Sequence, residues 1–237
     1  MRTLTAAISF LLCLGGGVLA SEREDAFVEA NVLAILYHEM GHALIDLLAL
    51  PVFGQEEDAA DVLSVLLIHD LYDEDDATGI IYDAAFGFLG EAQENEPALW
   101  DVHGPDLQRY YTMICLFYGA NPGDRADLAA ELDLPDERAE TCEEEYALAA
   151  DSWGPVLDDI TAGDPAQSMV YDGPRDTLIG ALVAEEVAAL NTDFDLPAQL
   201  DIVVGDCGEA NGFYDPELAR ITICTELDGY LRDLADF

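Results

Sequence analysis

Apolar residues recur at helical spacing along most of this chain. The clearest case runs from about Ala26 to Leu50, a segment that is apolar on most faces and rich in helix formers. Pro51 follows directly and predicts the end of that helix, as a proline just past the last turn does. A second apolar-periodic segment spans about Glu56 to His69, and its first turn is acidic, which the helix dipole favours. We therefore predict two helices joined by a short connection that contains Gly54.

The rest of the chain is predicted to be mostly helical, with a small β element near its C-terminus. Proline and glycine pairs such as Gly154-Pro155 separate the helical segments. Two β-like runs, Leu200–Val204 and Arg220–Cys224, flank a stretch rich in turn signals. The further predicted helices span residues 76–96, 105–118, 123–132, 136–150 and 176–191. These patterns predict an α+β fold, mainly α, with residues 21–237 forming one domain.

The first predicted helix carries the motif His38–His42, which reads HEMGH. Histidines four residues apart project from the same face of a helix, where their imidazoles can bind one zinc ion. Glu39 lies beside the first histidine and can face a water molecule that the metal activates, which suits a general base. A catalytic zinc site uses three protein ligands and keeps one position open, so another residue has to complete the set.

The start of the second helix offers three candidates for that third ligand: Glu56, Glu57 and Asp58. We favour Glu57, because Asp61 follows it by four residues on the same face. A carboxylate there can accept the outer N–H of a zinc-bound imidazole and fix its orientation. Glu56 is followed at that spacing by Ala60, which offers nothing polar. The alternative is that these acidic residues only cap a helix in a very acidic protein.

The segment HEMGHALIDLLALPVFGQEEDAAD resembles the signature of a bacterial family of proposed zinc metallopeptidases, known as a domain of unknown function. Further stretches similar to that family lie at residues 101–119, 138–153 and 207–227, so the resemblance covers most of the chain. It implies a zincin-like fold in which the HExxH helix packs against a second helix that carries the third ligand. The Glu57-x-x-x-Asp61 arm is similar to that of the gluzincins, although only 14 residues separate His42 from Glu57, fewer than in thermolysin-like enzymes.

A donor aimed at the developing oxyanion is the other requirement of peptide hydrolysis, and His, Tyr or Arg can supply it. His103 lies in a Gly-Pro loop before a predicted helix that carries Arg109 and Tyr110. The family resemblance favours His103 and Arg109 for this role, with Tyr110 as a further candidate. An exposed loop histidine and a structural ion pair are the alternatives for His103 and Arg109.

Together these residues predict a zinc-dependent metallopeptidase with one zinc per chain, which hydrolyses peptide or protein substrates. Zinc would be held by His38, His42 and Glu57, with Glu39 as general base. The alternative is a catalytically silent, zinc-stabilised periplasmic binding or assembly protein.

The first 20 residues predict a secretory signal peptide. They contain one arginine, an apolar stretch and a small-residue end, which places the expected cleavage after Ala20. No later run is long enough and sufficiently free of charge to span a membrane. We therefore predict a periplasmic or secreted protein that is not inserted in the membrane after the signal is removed.

The charge of the chain narrows the set of partners. The sequence has 50 acidic residues against 8 basic ones, for a formal net charge of −42. Removing residues 1–20 takes away Arg2 and no acidic residue, so the formal charge becomes −43. Nucleic acids and anionic membrane surfaces are themselves negative, and we do not expect the protein to bind either.

Four cysteines follow the predicted signal peptide: Cys115, Cys142, Cys207 and Cys224. An even number of cysteines in an exported protein predicts two disulfides, for which three connectivities exist. Pairing between sequence neighbours, Cys115 with Cys142 and Cys207 with Cys224, is the most economical of the three. Four buried thiols are the alternative.

Overall fold

The computed structural model describes residues 15–235, with side chains from residue 21 onward. In chain order the elements are α1 (Gly15–Leu47), α2 (Glu56–Leu71), α3 (Glu74–Glu94), α4 (Asp106–Ala120), α5 (Pro122–Glu131), α6 (Asp136–Ile160), β1 (Met169–Asp172), α7 (Leu178–Asp193), β2 (Leu200–Gly205), β3 (Gly212–Asp215), β4 (Arg220–Cys224) and α8 (Leu227–Leu234). Most of these elements are helices and the strands form one small sheet, so the predicted α+β class is confirmed.

The predicted signal peptide is only partly within the described residues. Residues 1–14 lie outside them, and the expected cleavage site after Ala20 falls inside α1, which begins earlier than its apolar pattern predicts. Among the described residues, none of the helices is long and apolar enough to cross a membrane.

The first two helices pack against each other at very short range where Gly41 meets Ala60. A Cβ atom on Gly41 would lie only 2.7 Å from the Cα of Ala60, and Ala60 is completely buried. The glycine in the middle of the HEMGH motif therefore permits α2 to approach the backbone of α1. This approach brings the acidic first turn of α2 next to the two histidines of α1.

We expect Gly41→Ala to destabilise the protein although alanine is the better helix former. The added methyl group overlaps the α2 backbone, and such overpacking costs about 1–3 kcal/mol. Gly79→Ala is the matched control, because Gly79 is an exposed position inside α3 with open space around its Cβ direction. There the substitution should stabilise by about 0.5–1 kcal/mol, from helix propensity alone. Urea unfolding of both variants measures the difference, and equal stability changes would contradict the close packing of α1 and α2.

The strands form one four-stranded sheet in the order β1-β2-β4-β3. The β1–β2 and β2–β4 pairs are parallel, whereas β3 pairs antiparallel with β4 and lies at the edge of the sheet. β3 packs on the HExxH helix, because a Cβ atom on Gly212 would lie 2.4 Å from the side chain of Ile35. The motif on α1 is thus bordered by α2 on one side and by β3 on another.

Helix α6 passes through the Gly154-Pro155 pair that we expected to end it, so that predicted boundary is wrong. Proline removes one backbone hydrogen bond from a helix. Trp153 and Ile160 are nevertheless buried on either side of it, and Val156 and Leu157 pack against the core. Burial of this apolar face outweighs the lost hydrogen bond and continues the helix for another turn.

Two disulfides connect sequence neighbours. Cys115 on α4 bonds Cys142 on α6, and Cys207 bonds Cys224 at the end of β4. The predicted pairing is confirmed. Disulfides persist in oxidising compartments outside the cytoplasm, which is where the sequence predicts this protein to be.

Candidate metal centre

The three predicted metal ligands meet at one point. His38 Nε2 and His42 Nε2 are 3.2 Å apart, and each lies 3.2 Å from Glu57 Oε2. His38 is buried inside α1, while Glu57 comes from the first turn of α2 across the Gly41 crossing. The histidines come together because of their helical spacing, and the carboxylate reaches them because the helices pack so closely.

This triangle of donor atoms fits a small divalent metal ion. Zinc bound tetrahedrally at about 2.0–2.1 Å from its ligands holds those ligand atoms about 3.3 Å apart. All three edges of the triangle are 3.2 Å. Two imidazoles and a carboxylate are also ligand types that such ions take in proteins.

Asp61 holds the outer nitrogen of His38. The Nδ1 of His38 donates to Asp61 Oδ1 at 2.7 Å. Arg109 donates to both oxygens of the same carboxylate at 2.8 Å, and its guanidinium lies 4.3 Å above the ring of Phe88. Arg109, predicted as a transition-state contact, is therefore engaged in holding Asp61 in place.

Glu56 does for His42 what Asp61 does for His38. The Nδ1 of His42 donates to Glu56 Oε1 at 2.8 Å. The sequence did not predict this role, since Glu56 was considered only as a metal ligand. The available signal was that each ligand imidazole needs a partner for its second nitrogen, and Glu56 directly precedes Glu57.

The remaining predicted site residues lie in different surroundings. His103 reaches the centre: its Nε2 is 2.8 Å from Glu57 Oε2, and its ring stacks against that of His38 with 6.0 Å between centroids. Tyr110 does not reach it. Its side chain is buried and its hydroxyl donates to the backbone carbonyl of Leu132 at 2.8 Å.

Glu39 is buried between the histidines and the edge strand β3. A Cβ atom on Gly212 would lie 3.8 Å from the Cγ of Glu39, so β3 covers this side chain closely. Burial raises the pKa of Glu39, and positive charge on His38 and His42 offsets part of that increase. A carboxylate that takes up protons more readily than usual is suited to general-base chemistry.

Comparison with known protein families shows which family the chain belongs to. The model of a family described as "putative metallopeptidase" matches residues 18–157 and 171–235, which is most of the sequence. The chain belongs to this family. The matched ranges contain the HEMGH motif, the first turns of α2 and the His103 loop. No curated protein and no solved structure is detectably similar to it.

Positively charged neighbours keep the carboxylates of Glu57 and Asp61 ionised at the metal centre. A hydrogen bond from His38 and the nearby charges of His103 and His42 outweigh desolvation and lower the pKa of Glu57 to about 2. Burial would raise the pKa of Asp61, but hydrogen bonds from Arg109 and His38 hold it well below its usual range. Burial likewise lowers the pKa of His38, yet hydrogen bonds to Asp61 and Glu57 raise it to about 9. A metal ion that binds His38 therefore has to displace a proton.

The centre lies in a cleft of about 1360 Å³, a volume large enough for several residues of a peptide. Helices α1 to α4, strand β3, helix α8 and the loop between α3 and α4 form its walls. Tyr214 on β3 donates its hydroxyl to Asp46, one turn after His42, at 2.7 Å. The walls carry further acidic side chains: Glu91, Glu96, Asp101 and Asp106.

Proposed function

We propose that this protein is a zinc-dependent metallopeptidase that hydrolyses peptide bonds in its cleft. The observation that carries the proposal is the triangle of His38, His42 and Glu57 donor atoms with the buried Glu39 beside it. Membership of a metallopeptidase family supports the same reaction class. The predicted signal peptide and the two disulfides favour an exported protein.

The residues of the cleft have distinct roles in the proposed reaction. Zinc held by His38, His42 and Glu57 would polarise the peptide carbonyl and make the attacking water more acidic. Glu39 takes the proton of that water and later passes it to the leaving amine. Burial, which raises the pKa of Glu39, favours the first of these two transfers.

Residues behind the metal ligands keep the two imidazoles in the required orientation. Asp61 and Glu56 accept the Nδ1–H of His38 and His42, which directs both Nε2 atoms towards the position of the metal. Arg109 fixes Asp61 through two hydrogen bonds. It therefore supports the orientation of His38 indirectly, through Asp61.

Metal analysis combined with a cleavage assay tests this function. The purified protein should hold about one zinc per chain and cleave members of a mixed-peptide library. A chelator should remove both the metal and the activity, and added zinc should restore both. The library has to include cationic peptides, because most of the charged side chains in the cleft walls are acidic.

Two results would contradict the proposal in different ways. Protein that contains no zinc and gains none on reconstitution would refute the metal centre. Stoichiometric zinc without cleavage of any peptide would favour the silent binding protein instead.

A further inference from the structure

Three histidines, and not two, share one arrangement around Glu57. His38 and His42 each direct Nε2 towards Glu57 Oε2 and Nδ1 towards a carboxylate of their own. His103 repeats this pattern: its Nε2 lies 2.8 Å from Glu57 Oε2 and its Nδ1 lies 3.5 Å from Asp101 Oδ1. A metal-binding histidine almost always has a polar partner on its second nitrogen, and for His103 the carboxylate of Asp101 occupies that place at a longer distance.

The position of the third imidazole also suits a ligand. The donor atoms of His38, Glu57 and His103 all lie within 4.8 Å of one another. His42 Nε2 in turn lies 3.2 Å from the donor atoms of His38 and Glu57, so His103 adds a fourth donor beside the triangle. We propose that His103 is a displaceable fourth ligand that closes the metal centre in the resting protein, an inference that rests on the proposed function.

His103 is held less firmly by its surroundings than the two histidines on α1, and for this reason it is the displaceable ligand. His38 and His42 project from the interior of a long helix, and their side chains are 8% and 13% exposed. His103 lies in the loop between α3 and α4, and its side chain is 44% exposed. Its carboxylate partner is also the most distant of the three, at 3.5 Å against 2.7 and 2.8 Å.

The loop that carries His103 is largely exposed to solvent. Leu99, Trp100 and Val102 are exposed on it by 80%, 88% and 61% although they are apolar. A substrate that packs against these side chains can draw the loop, and His103 with it, away from Glu57. A catalytic zinc site needs one open position, and withdrawal of His103 provides that position only when substrate is present.

Counting the imidazoles around bound zinc tests the proposal directly. X-ray absorption spectra of the zinc-loaded protein should fit three imidazole ligands in the wild type and two in His103→Ala. Trp100→Ala is the matched control: it changes the same loop at a side chain that does not line the site, and it should keep three. His103→Gln provides a second variant with a side chain of similar reach.

A ligand titration gives a second measurement that does not depend on activity. In the cobalt-substituted protein, acetohydroxamate has to displace His103 from the wild type but finds an open position in His103→Ala. Its apparent Kd, followed by the visible spectrum, should therefore be about tenfold lower in the variant.

The possible failures are distinguishable. Zinc-loaded wild type with two imidazoles and unchanged acetohydroxamate affinity in His103→Ala would overturn the fourth ligand and leave the proposed function intact. Complete loss of zinc from His103→Ala would also overturn it, because His103 would then be an obligatory ligand. A wild-type protein that binds no zinc would instead refute the proposed function.

Discussion

Glu39→Gln should retain zinc and fold yet lose peptide hydrolysis by about 10²–10⁴-fold, the usual contribution of general-base catalysis. Glutamine has nearly the same shape as glutamate, so it fits the buried space under β3 without displacing Gly212. Glu39 is not one of the three residues whose donor atoms form the metal triangle, so the metal should remain. The loss should appear in kcat, with zinc content measured on the same samples.

Glu29→Gln is the control for this prediction. Glu29 lies on the same helix, away from the cleft, and burial raises its pKa as it does that of Glu39. The control substitution should leave zinc content and hydrolysis unchanged. If Glu39→Gln cleaved peptides at the wild-type rate, either another group would be the base or the activity would come from a contaminant.

The parts of the site that could be predicted from the sequence are those set by local geometry. His38, Glu39 and His42 lie on one helix, and a spacing of four residues brings both imidazoles to one face regardless of the rest of the fold. Asp61 was expected beside an imidazole for the same reason, since it follows Glu57 by one helical turn. That expectation agrees with the position of Asp61 in the structure.

The parts that could not be predicted depend on contacts between distant segments. Arg109 is 48 residues from Asp61, and only the packing of α4 against α2 shows that it binds this carboxylate rather than facing substrate. Tyr110 lies next to Arg109 in sequence but points in a different direction, into the core. Neither orientation follows from the spacing along α4, because the sequence does not state which face of that helix the site occupies.

The fold shows the same division between local and distant information. Helices α2 to α5 lie close to their predicted ranges, and a proline or glycine stands near most of their ends. Strand β1 was missed because its four residues are too few to show an alternating pattern. Helix α8 was not predicted, because its eight residues give only about two turns of apolar spacing, although Leu227, Leu231 and Leu234 are all buried.

Zinc affinity should fall in a graded series that follows each residue's distance from the metal. His38→Ala or His42→Ala should abolish stoichiometric zinc, because only one helix histidine and Glu57 then remain as firmly held ligands, and His103 is displaceable. Glu57→Ala should cost most of the affinity. Asp61→Ala should weaken binding by roughly 10–100-fold, as residues that support a ligand usually do. Competition with a chelator of known affinity measures all four variants on one scale.

Asp58→Ala is the control that separates the choice of third ligand from a general effect of charge. Asp58 follows Glu57 directly and was a rival candidate, but its side chain is exposed on α2. Removing it takes away the same negative charge from the same helical turn as Glu57→Ala does. If the two variants lost zinc equally, the carboxylates would attract the zinc ion only through their combined negative charge, and neither would be a specific ligand. If Asp58→Ala alone lost zinc, Glu57 would not be the third ligand. We expect Asp58→Ala to keep the metal, because Glu57 is the residue whose oxygen lies 3.2 Å from both histidine nitrogens.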